Sequence, residues 1–222
     1  GGGIRDFSSG LEFRRGSFRI ALIWQIWAKV SLVTHNTKRP SSSFEPNLRL
    51  KVRDTEHKYS DMHIGIAQIN AVVGDFPGNA KRILAAYREC IENGAEIVVL
   101  PEMALVGYPP CDLLFKSQFV PKCLQALDYL ADEVRDIPLI VGYVDECPAD
   151  AIGKPYRNAA AFLHNGKVLH KIWKTLLPAY DVFDERRYFE PGENSKPIEW
   201  NGLRLGITIC EDIWTEDYLH RP

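Results

Sequence analysis

Apolar residues become regularly spaced from Met62 onward and follow strand and helix periods in turn. Three short stretches have the alternating or continuous apolar pattern of strands: HIGIAQIN (63–70), EIVVLPE (96–102) and PLIVGYV (138–144). Between them, apolar residues at helical spacing predict one helix from Asn79, which can cap its first turn, and another from Val120 to Val134. This half of the chain therefore predicts alternating strands and helices.

The later part of the chain predicts hairpins. NAAAFLH and KVLHKIWK flank Asn165-Gly166, and PIEW and LRLGITIC flank Asn201-Gly202. An Asn-Gly pair between two apolar runs is the strongest short-range hairpin pattern. Strands and helices followed by hairpins indicate a mixed α/β sheet with helices on its outer face. Because the other face must also be covered, a second, similar sheet is the simplest cover.

Composition excludes several classes of protein and changes little else. The 222 residues are 45% hydrophobic and 25% charged, which is ordinary for a globular protein. The net charge of −2 gives no reason to expect nucleic acid as a partner, and no apolar run reaches the roughly 18 residues of a membrane span. Five cysteines without a C-x-x-C pair favour a reducing, cytoplasmic location. The scattered histidines predict no metal site.

Residues 1–61 differ from the remainder. They hold 11 Lys/Arg against 6 Asp/Glu, no methionine and no clear period. We expect a non-native, disordered or upstream-translated segment, with the native start at Met62. A rival interpretation is a targeting segment, because the apolar stretch FRIALIWQIWAKVSLV follows Arg14 and Arg15. Lys29 interrupts that stretch, and no clear small-residue cleavage site follows it.

The stretch LRLGITICEDIW ends a predicted strand on a thiol followed by two carboxylates. Its leucines and isoleucines share one face, whereas Cys210 lies on the other face with small residues, where a ligand could approach. A helix starting after Cys210 would lower the pKa of the thiol through its N-terminal dipole. The alternative is an ordinary buried cysteine.

Two other charged residues close predicted strands. Glu102 shares a face with Val98 and Leu100, so burial would raise the pKa of its carboxyl towards that of a general base. Lys174 ends the second strand of the first hairpin. Taken singly, either residue could simply be solvated. Together with Cys210 they could all lie at one edge of a sheet.

The order Glu, Lys, Cys within LPEMALVGY, KTLLPAYDVFDERRYF and GITICEDIW resembles the nitrilase superfamily of carbon–nitrogen hydrolases. More narrowly, it is similar to the glutaminase domain of glutamine-dependent NAD synthetases, over about Met62 to Trp214. The resemblance implies an α/β fold, a four-layer α-β-β-α sandwich of the nitrilase type, C-terminally truncated here. Residues 62–222 would form a partial hydrolase domain, and the family's ATP-dependent synthetase domain would be absent from this chain.

The resemblance also implies a role for each site residue. Cys210 would attack the side-chain amide of glutamine, and Glu102 would be the general base. Lys174 and the backbone N–H of Glu211 would stabilise the oxyanion. Glu185 would be the supporting carboxylate.

Tyr108 and Tyr180, with Glu211, would bind the substrate. No cofactor is implied for this domain. ATP, Mg²⁺ and nicotinic acid adenine dinucleotide would be handled by the absent domain, and the complete protein would be a homo-oligomer.

Two alternatives to a glutaminase stay open. One is a stand-alone amidase or nitrilase acting on another amide or nitrile, because the Glu-Lys-Cys pattern is common to the superfamily. The other is a catalytically silent fragment or interaction module. The extended YDVFDERRYFEPG stretch favours the glutaminase.

Overall fold

The computed structural model describes residues 18–22, 47–53, 59–193 and 196–213. The strands in these ranges are β1 (Phe18–Leu22), β2 (Asn47–Arg53), β3 (Tyr59–Ile66), β4 (Ile97–Val99), β5 (Leu139–Glu146), β6 (Tyr156–His164), β7 (Lys167–Trp173), β8 (Ile198–Trp200) and β9 (Leu203–Ile209). The α-helices are α1 (Phe76–Glu92), α2 (Phe119–Glu133) and the short α3 (Glu185–Tyr188). Two 3₁₀-helices span Cys111–Phe115 and Cys210–Ile213.

The strands form two sheets. The larger has the order β2-β3-β4-β5-β6-β7, in which β3, β4 and β5 are parallel and the other pairs antiparallel. The smaller has the order β1-β9-β8, with β9 parallel to β1 and antiparallel to β8. Both predicted hairpins are confirmed, with Gly166 and Gly202 in the left-handed region at φ 77° and 75°, which glycine adopts without strain.

Strand alternation divides the apolar residues between two cores. In β4, Val98 packs with α1 and α2, whereas Ile97 and Val99 face the smaller sheet. In β6, Ala159 and Ala161 likewise face the helices. The second core, between the sheets, contains buried apolar residues of both: Met62, Ile64, Ile97, Val99, Ile140, Ala160, Phe162, Ile172, Ile198, Leu205, Ile207 and Ile209. The larger sheet is therefore covered on both faces, as predicted.

The first helix begins earlier than the sequence pattern predicted. Asp75, not Asn79, is the capping residue, and its Oδ1 accepts the backbone N–H of Gly78 at 3.0 Å. Asn79 is instead fully buried, and its side-chain amide donates to the carbonyl oxygens of Val72 and Leu105. Asn79 therefore ties the helix to the two loops beneath it, which helical spacing alone does not reveal.

Parts of the segment 1–61 pair with the sheets. Phe18–Leu22 adds to β9, and Asn47–Arg53 adds to β3. The rest of the segment, up to residue 58, lies outside the described residues. Its suggested origin as non-native or upstream-translated sequence stays a prediction.

The fold is the mixed α/β sandwich that the resemblance implied, seen as a helix layer and two sheets. Both α-helices longer than one turn in the described ranges pack on the larger sheet. A helix layer on the outer face of the smaller sheet is not part of the described chain.

Candidate active site

The candidate residues lie at one edge of the two sheets. Glu102 follows β4, Lys174 directly follows β7, and Cys210 directly follows β9. In the larger sheet, the carboxyl ends of the parallel strands lie beside the start of the antiparallel β6. Side chains from strands distant in sequence therefore meet at this edge, as the sequence pattern suggested.

Glu102 lies in a tight turn that presses on the neighbouring strand. The following residue, Met103, has a left-handed backbone with φ 52°. Gly142 in β5 accepts the N–H of Leu105 at 3.0 Å, and a Cβ there would collide with the backbone of Met103 and lie 2.6 Å from the carbonyl oxygen of Pro101. A glycine at this point of β5 is what allows the turn to bury Glu102.

Lys174 joins two buried carboxylates. Its Nζ lies 2.7 Å from Glu102 Oε1 and 2.9 Å from Glu185 Oε1, and the lysine side chain is fully buried. Burial lowers the pKa of Lys174, but the two carboxylates outweigh it, so the pKa is raised and the ammonium persists. Burial and the charge of Glu102 raise the pKa of Glu185 to about 7, against the opposing effect of Lys174.

Asn158 in β6 completes this group, and sequence analysis missed it. Its Nδ2 donates to Glu102 Oε1 at 2.6 Å and to Glu185 Oε2 at 3.3 Å. Its backbone oxygen accepts the N–H of Lys174 at 2.9 Å. The visible sequence feature was a polar residue that opens the apolar run NAAAFLH, on the same parity as Ala160 and Phe162.

Cys210 lies partly exposed at the end of β9 with a left-handed backbone, φ 46°. Burial raises the pKa of its thiol to about 12. The charge of Glu102 adds to this, and Lys174 only partly opposes it. The expected lowering of the pKa by a helix after Cys210 is wrong, because burial and Glu102 raise it; within the described residues Cys210 itself opens a 3₁₀-helix, Cys210–Ile213. The thiol is thus protonated at neutral pH, and attack requires a base.

Asp212, also missed from the sequence, holds the lysine and cysteine segments together. Its Oδ1 accepts the backbone N–H groups of Thr175 and Leu176 at 3.0 and 2.8 Å. Its Oδ2 accepts that of Ile209 at 3.2 Å. Burial raises the pKa of this carboxyl to about 6, although the backbone hydrogen bonds lower it.

The predicted substrate-binding residues surround this group. Tyr108 donates to Glu185 Oε1 at 3.3 Å, and the exposed Tyr180 donates to Glu211 Oε2 at 2.8 Å. Phe183 packs between the two tyrosines, with ring centroids 6.2 and 5.7 Å away. A cavity of about 440 Å³, lined in part by Tyr180 and Glu211, adjoins the site. The rim is therefore aromatic, with a carboxylate among the rings.

Two absences concern the described residues only. No cluster of three or more His, Cys, Asp or Glu side chains there is arranged to hold a metal ion. None of the helices found there is long and apolar enough to cross a membrane.

A sulfur, two carboxylates and an ammonium lie at one sheet edge, a set of groups typical of cysteine-dependent hydrolases. The family model described as "Carbon-nitrogen hydrolase" matches residues 63–221. The chain belongs to this family.

The similar curated proteins are more specific in name. A "Glutamine-dependent NAD(+) synthetase" of Thermotoga maritima is 38% identical over 155 residues, covering 69% of this chain and 26% of the relative. One from Aquifex aeolicus is 40% identical over 165 residues, covering 72% and 27%. The chain therefore spans about a quarter of the length of these relatives.

Solved structures agree with the fold. The glutamine-dependent NAD+ synthetase of Acinetobacter baumannii, in complex with adenosine diphosphate, superposes with a TM-score of 0.65 at 31% identity, covering 70% of this chain and 29% of that one. The NitN amidase of Neterenkonia sp. AN1 superposes with a TM-score of 0.57 at 24% identity, covering 71% and 60%. The amidase supports the fold alone.

Proposed function

We propose that this chain carries the glutaminase site of a glutamine-dependent NAD synthetase and hydrolyses the side-chain amide of glutamine through a thioester on Cys210. The observation that carries the proposal is the buried Glu102–Lys174–Glu185 group beside a protonated thiol. Such a group supplies a base, a fixed positive charge and a nucleophile, which amide hydrolysis requires.

In the first half-reaction, Glu102 takes the proton of Cys210 as Sγ forms a bond to the amide carbon. Lys174 and the backbone N–H of Glu211 stabilise the oxyanion; one such donor is typically worth about 10²–10³ in rate. Glu102 then passes the proton to the amide nitrogen. The carbon–nitrogen bond breaks, ammonia leaves, and the acyl group stays on sulfur.

In the second half-reaction, water attacks the thioester while Glu102 accepts its proton. The carbon–sulfur bond breaks, glutamate leaves, and the proton returns to Sγ. Glu185 supports this cycle by sharing Lys174 with Glu102. Tyr108, Tyr180 and the carboxylate of Glu211 bind the glutamine, whose ammonium group suits a negatively charged rim.

The names of the relatives support a wider role. We propose that the ammonia serves an ATP-dependent amidation of nicotinic acid adenine dinucleotide to NAD. ATP, Mg²⁺ and the dinucleotide would then bind to a synthetase domain, and none of them to this one. The free cysteines among the described residues suit a reducing, cytoplasmic location. We propose that the complete protein is a homo-oligomer.

The test is ammonia release from glutamine by the full chain and by Cys210→Ala. We expect the variant to lose the activity and keep the melting temperature, because the thiol is only partly buried. Cys111→Ala, at an exposed cysteine outside the site, is the matched control and should keep both. Unchanged ammonia release in Cys210→Ala would reject the nucleophile.

A substrate panel separates the runner-up, a stand-alone amidase or nitrilase. The matching family model describes carbon–nitrogen hydrolases in general, so this alternative is kept. Faster turnover of an aliphatic amide or a nitrile than of glutamine would decide for that alternative.

A further inference from the structure

The carboxylates of Glu102 and Glu185 need more than Lys174 to fix their positions. Lys174 is one ammonium shared by two acids, and a single Nζ donor lets either carboxylate rotate about its hydrogen bond. Asn158 provides the second point of attachment for both, at 2.6 Å to Glu102 and 3.3 Å to Glu185. For Glu185 the two donors hold both oxygens, and for Glu102 they converge on Oε1, so each carboxylate is held more firmly than by Lys174 alone.

The orientation of the Asn158 amide follows from its neighbours. Turned by 180°, its oxygen would face two carboxylates, so the NH₂ group must point towards them. Its Oδ1 is buried and has no hydrogen-bond partner within the described part of the chain. A buried acceptor left in this state is costly. The hydrogen bonds to Glu102 and Glu185 therefore offset this cost and hold the Asn158 side chain in this orientation.

The hydrogen bonds to Glu102 select one of its two oxygens. Lys174 Nζ and Asn158 Nδ2 both donate to Oε1. Oε2 is then the oxygen left to receive the proton of Cys210. An asparagine does this without adding charge, whereas a third carboxylate or a second ammonium at this place would change the electrostatics of the whole group.

We propose that Asn158 is a positioning residue of the amide hydrolysis, holding the Glu102 carboxylate so that Oε2 faces the Cys210 thiol. The inference rests on the proposed function for its kinetic part only. Asn158 is itself held in β6. Its backbone oxygen accepts the N–H of Lys174, so the same residue positions both the Glu102 carboxylate and the Lys174 segment.

The first test compares Asn158→Ala with wild type in glutamine hydrolysis by the full chain. We expect kcat to fall roughly 10²-fold, since displacing a reacting group by about 1 Å has this cost. KM should stay within about threefold, because ground-state binding is unchanged. Asn158→Asp should lose at least as much, because it adds a negative charge.

The second test does not use turnover. The charge of Glu102 raises the pKa of the Cys210 thiol, so releasing Glu102 in Asn158→Ala should lower that pKa towards its value in Glu102→Gln. The pH dependence of Cys210 alkylation, followed on its tryptic peptide, measures this. Tyr87→Phe is the control, because Tyr87 is a buried residue of α1 whose hydroxyl donates to the carbonyl oxygen of Ile137, beside the start of β5 and at the opposite end of that strand from the site. It should lower the melting temperature and leave kcat and the thiol titration as in wild type.

Unchanged kcat and an unchanged thiol titration in a folded Asn158→Ala would overturn the proposal and leave the proposed function standing. If the wild type hydrolyses no glutamine, the proposed function fails, and the thiol titration alone decides the role of Asn158. Should Asn158→Ala not fold, Asn158→Leu, which removes both polar atoms and keeps a similar side-chain volume, takes its place in both measurements.

Discussion

The chemistry at the residue scale depends on placing two carboxylates and an ammonium out of water. Each buried charge alone would be costly, and only mutual pairing offsets the cost. The distances of 2.7 and 2.9 Å from Lys174 to Glu102 and Glu185 show both pairs formed. Burial, with the charge of Glu102 adding to its effect, raises the pKa of the Cys210 thiol and keeps it protonated until it attacks.

Removing the ammonium should therefore destabilise the fold. In Lys174→Met, Glu102 and Glu185 would face each other without a cation. We expect a loss of about 3–5 kcal/mol in the free energy of unfolding, as for other buried pairs that lose one partner. Urea unfolding measures it. The double variant Lys174→Met/Glu185→Gln should recover part of the loss, and equal stability of the two variants would contradict the pairing.

Glu102 has opposite effects on the acidity of the thiol and on turnover. Its charge raises the pKa of Cys210, whereas Lys174 lowers it. In Glu102→Gln we expect a lower thiol pKa and a loss of ammonia release, because the base is gone. Thiolate absorbance against pH and a turnover assay measure the two effects. A variant that keeps both the wild-type titration and turnover would show that Glu102 is not the base.

At the scale of elements, the site depends on holding together the ends of two strands that belong to different sheets. Lys174 follows β7 of the larger sheet and Cys210 follows β9 of the smaller one. The Asp212 carboxylate links them by accepting backbone N–H groups on both sides, from Thr175 and Leu176 and from Ile209.

The link by Asp212 can be tested directly. In Asp212→Ala three backbone donors lose their acceptor, and each buried donor left unsatisfied costs about 1–3 kcal/mol. We expect a loss of at least about 2 kcal/mol in unfolding free energy, with lower kcat as well. Asp212→Asn keeps one oxygen acceptor and should lose less in urea unfolding. Identical losses in the two variants would mean that the hydrogen bonds are not what Asp212 provides.

Sequence patterns predicted the elements better than the contacts between them. Alternation and Asn-Gly pairs placed both hairpins, and strand ends placed Glu102, Lys174 and Cys210 at one edge. The roles of Asn158 and Asp212 were not predictable in the same way, because hydrogen bonds across β-strands depend on register. Asn79 shows the same limit: its residue type suits a helix cap, but the fold uses it as a buried tie.

At the scale of the whole molecule, the site lies at the edge of the core between the two sheets. Ile172, two residues before Lys174, and Ile209, directly before Cys210, belong to that core. Lys174 and Cys210 are therefore set in place by sheet packing, and the stability of the domain and the ionisation of the site are linked. Glu185 shows the link most directly, because burial raises its pKa from 4.5 to about 7.

A carboxyl whose pKa is higher in the folded than in the unfolded chain binds its proton more tightly when folded, so ionisation opposes folding. Stability from Glu185 is fully present below pH 4.5 and declines as the pH rises to about 7. We expect Glu185→Gln to lose this part of the pH dependence of the unfolding free energy. Its unfolding free energy should therefore rise relative to that of wild type between pH 4.5 and about 7. Urea unfolding at a series of pH values measures the difference. Glu89→Gln, at an exposed position in α1, is the control and should keep the wild-type pH dependence. An unchanged pH dependence in Glu185→Gln would mean that a group other than Glu185 binds the proton.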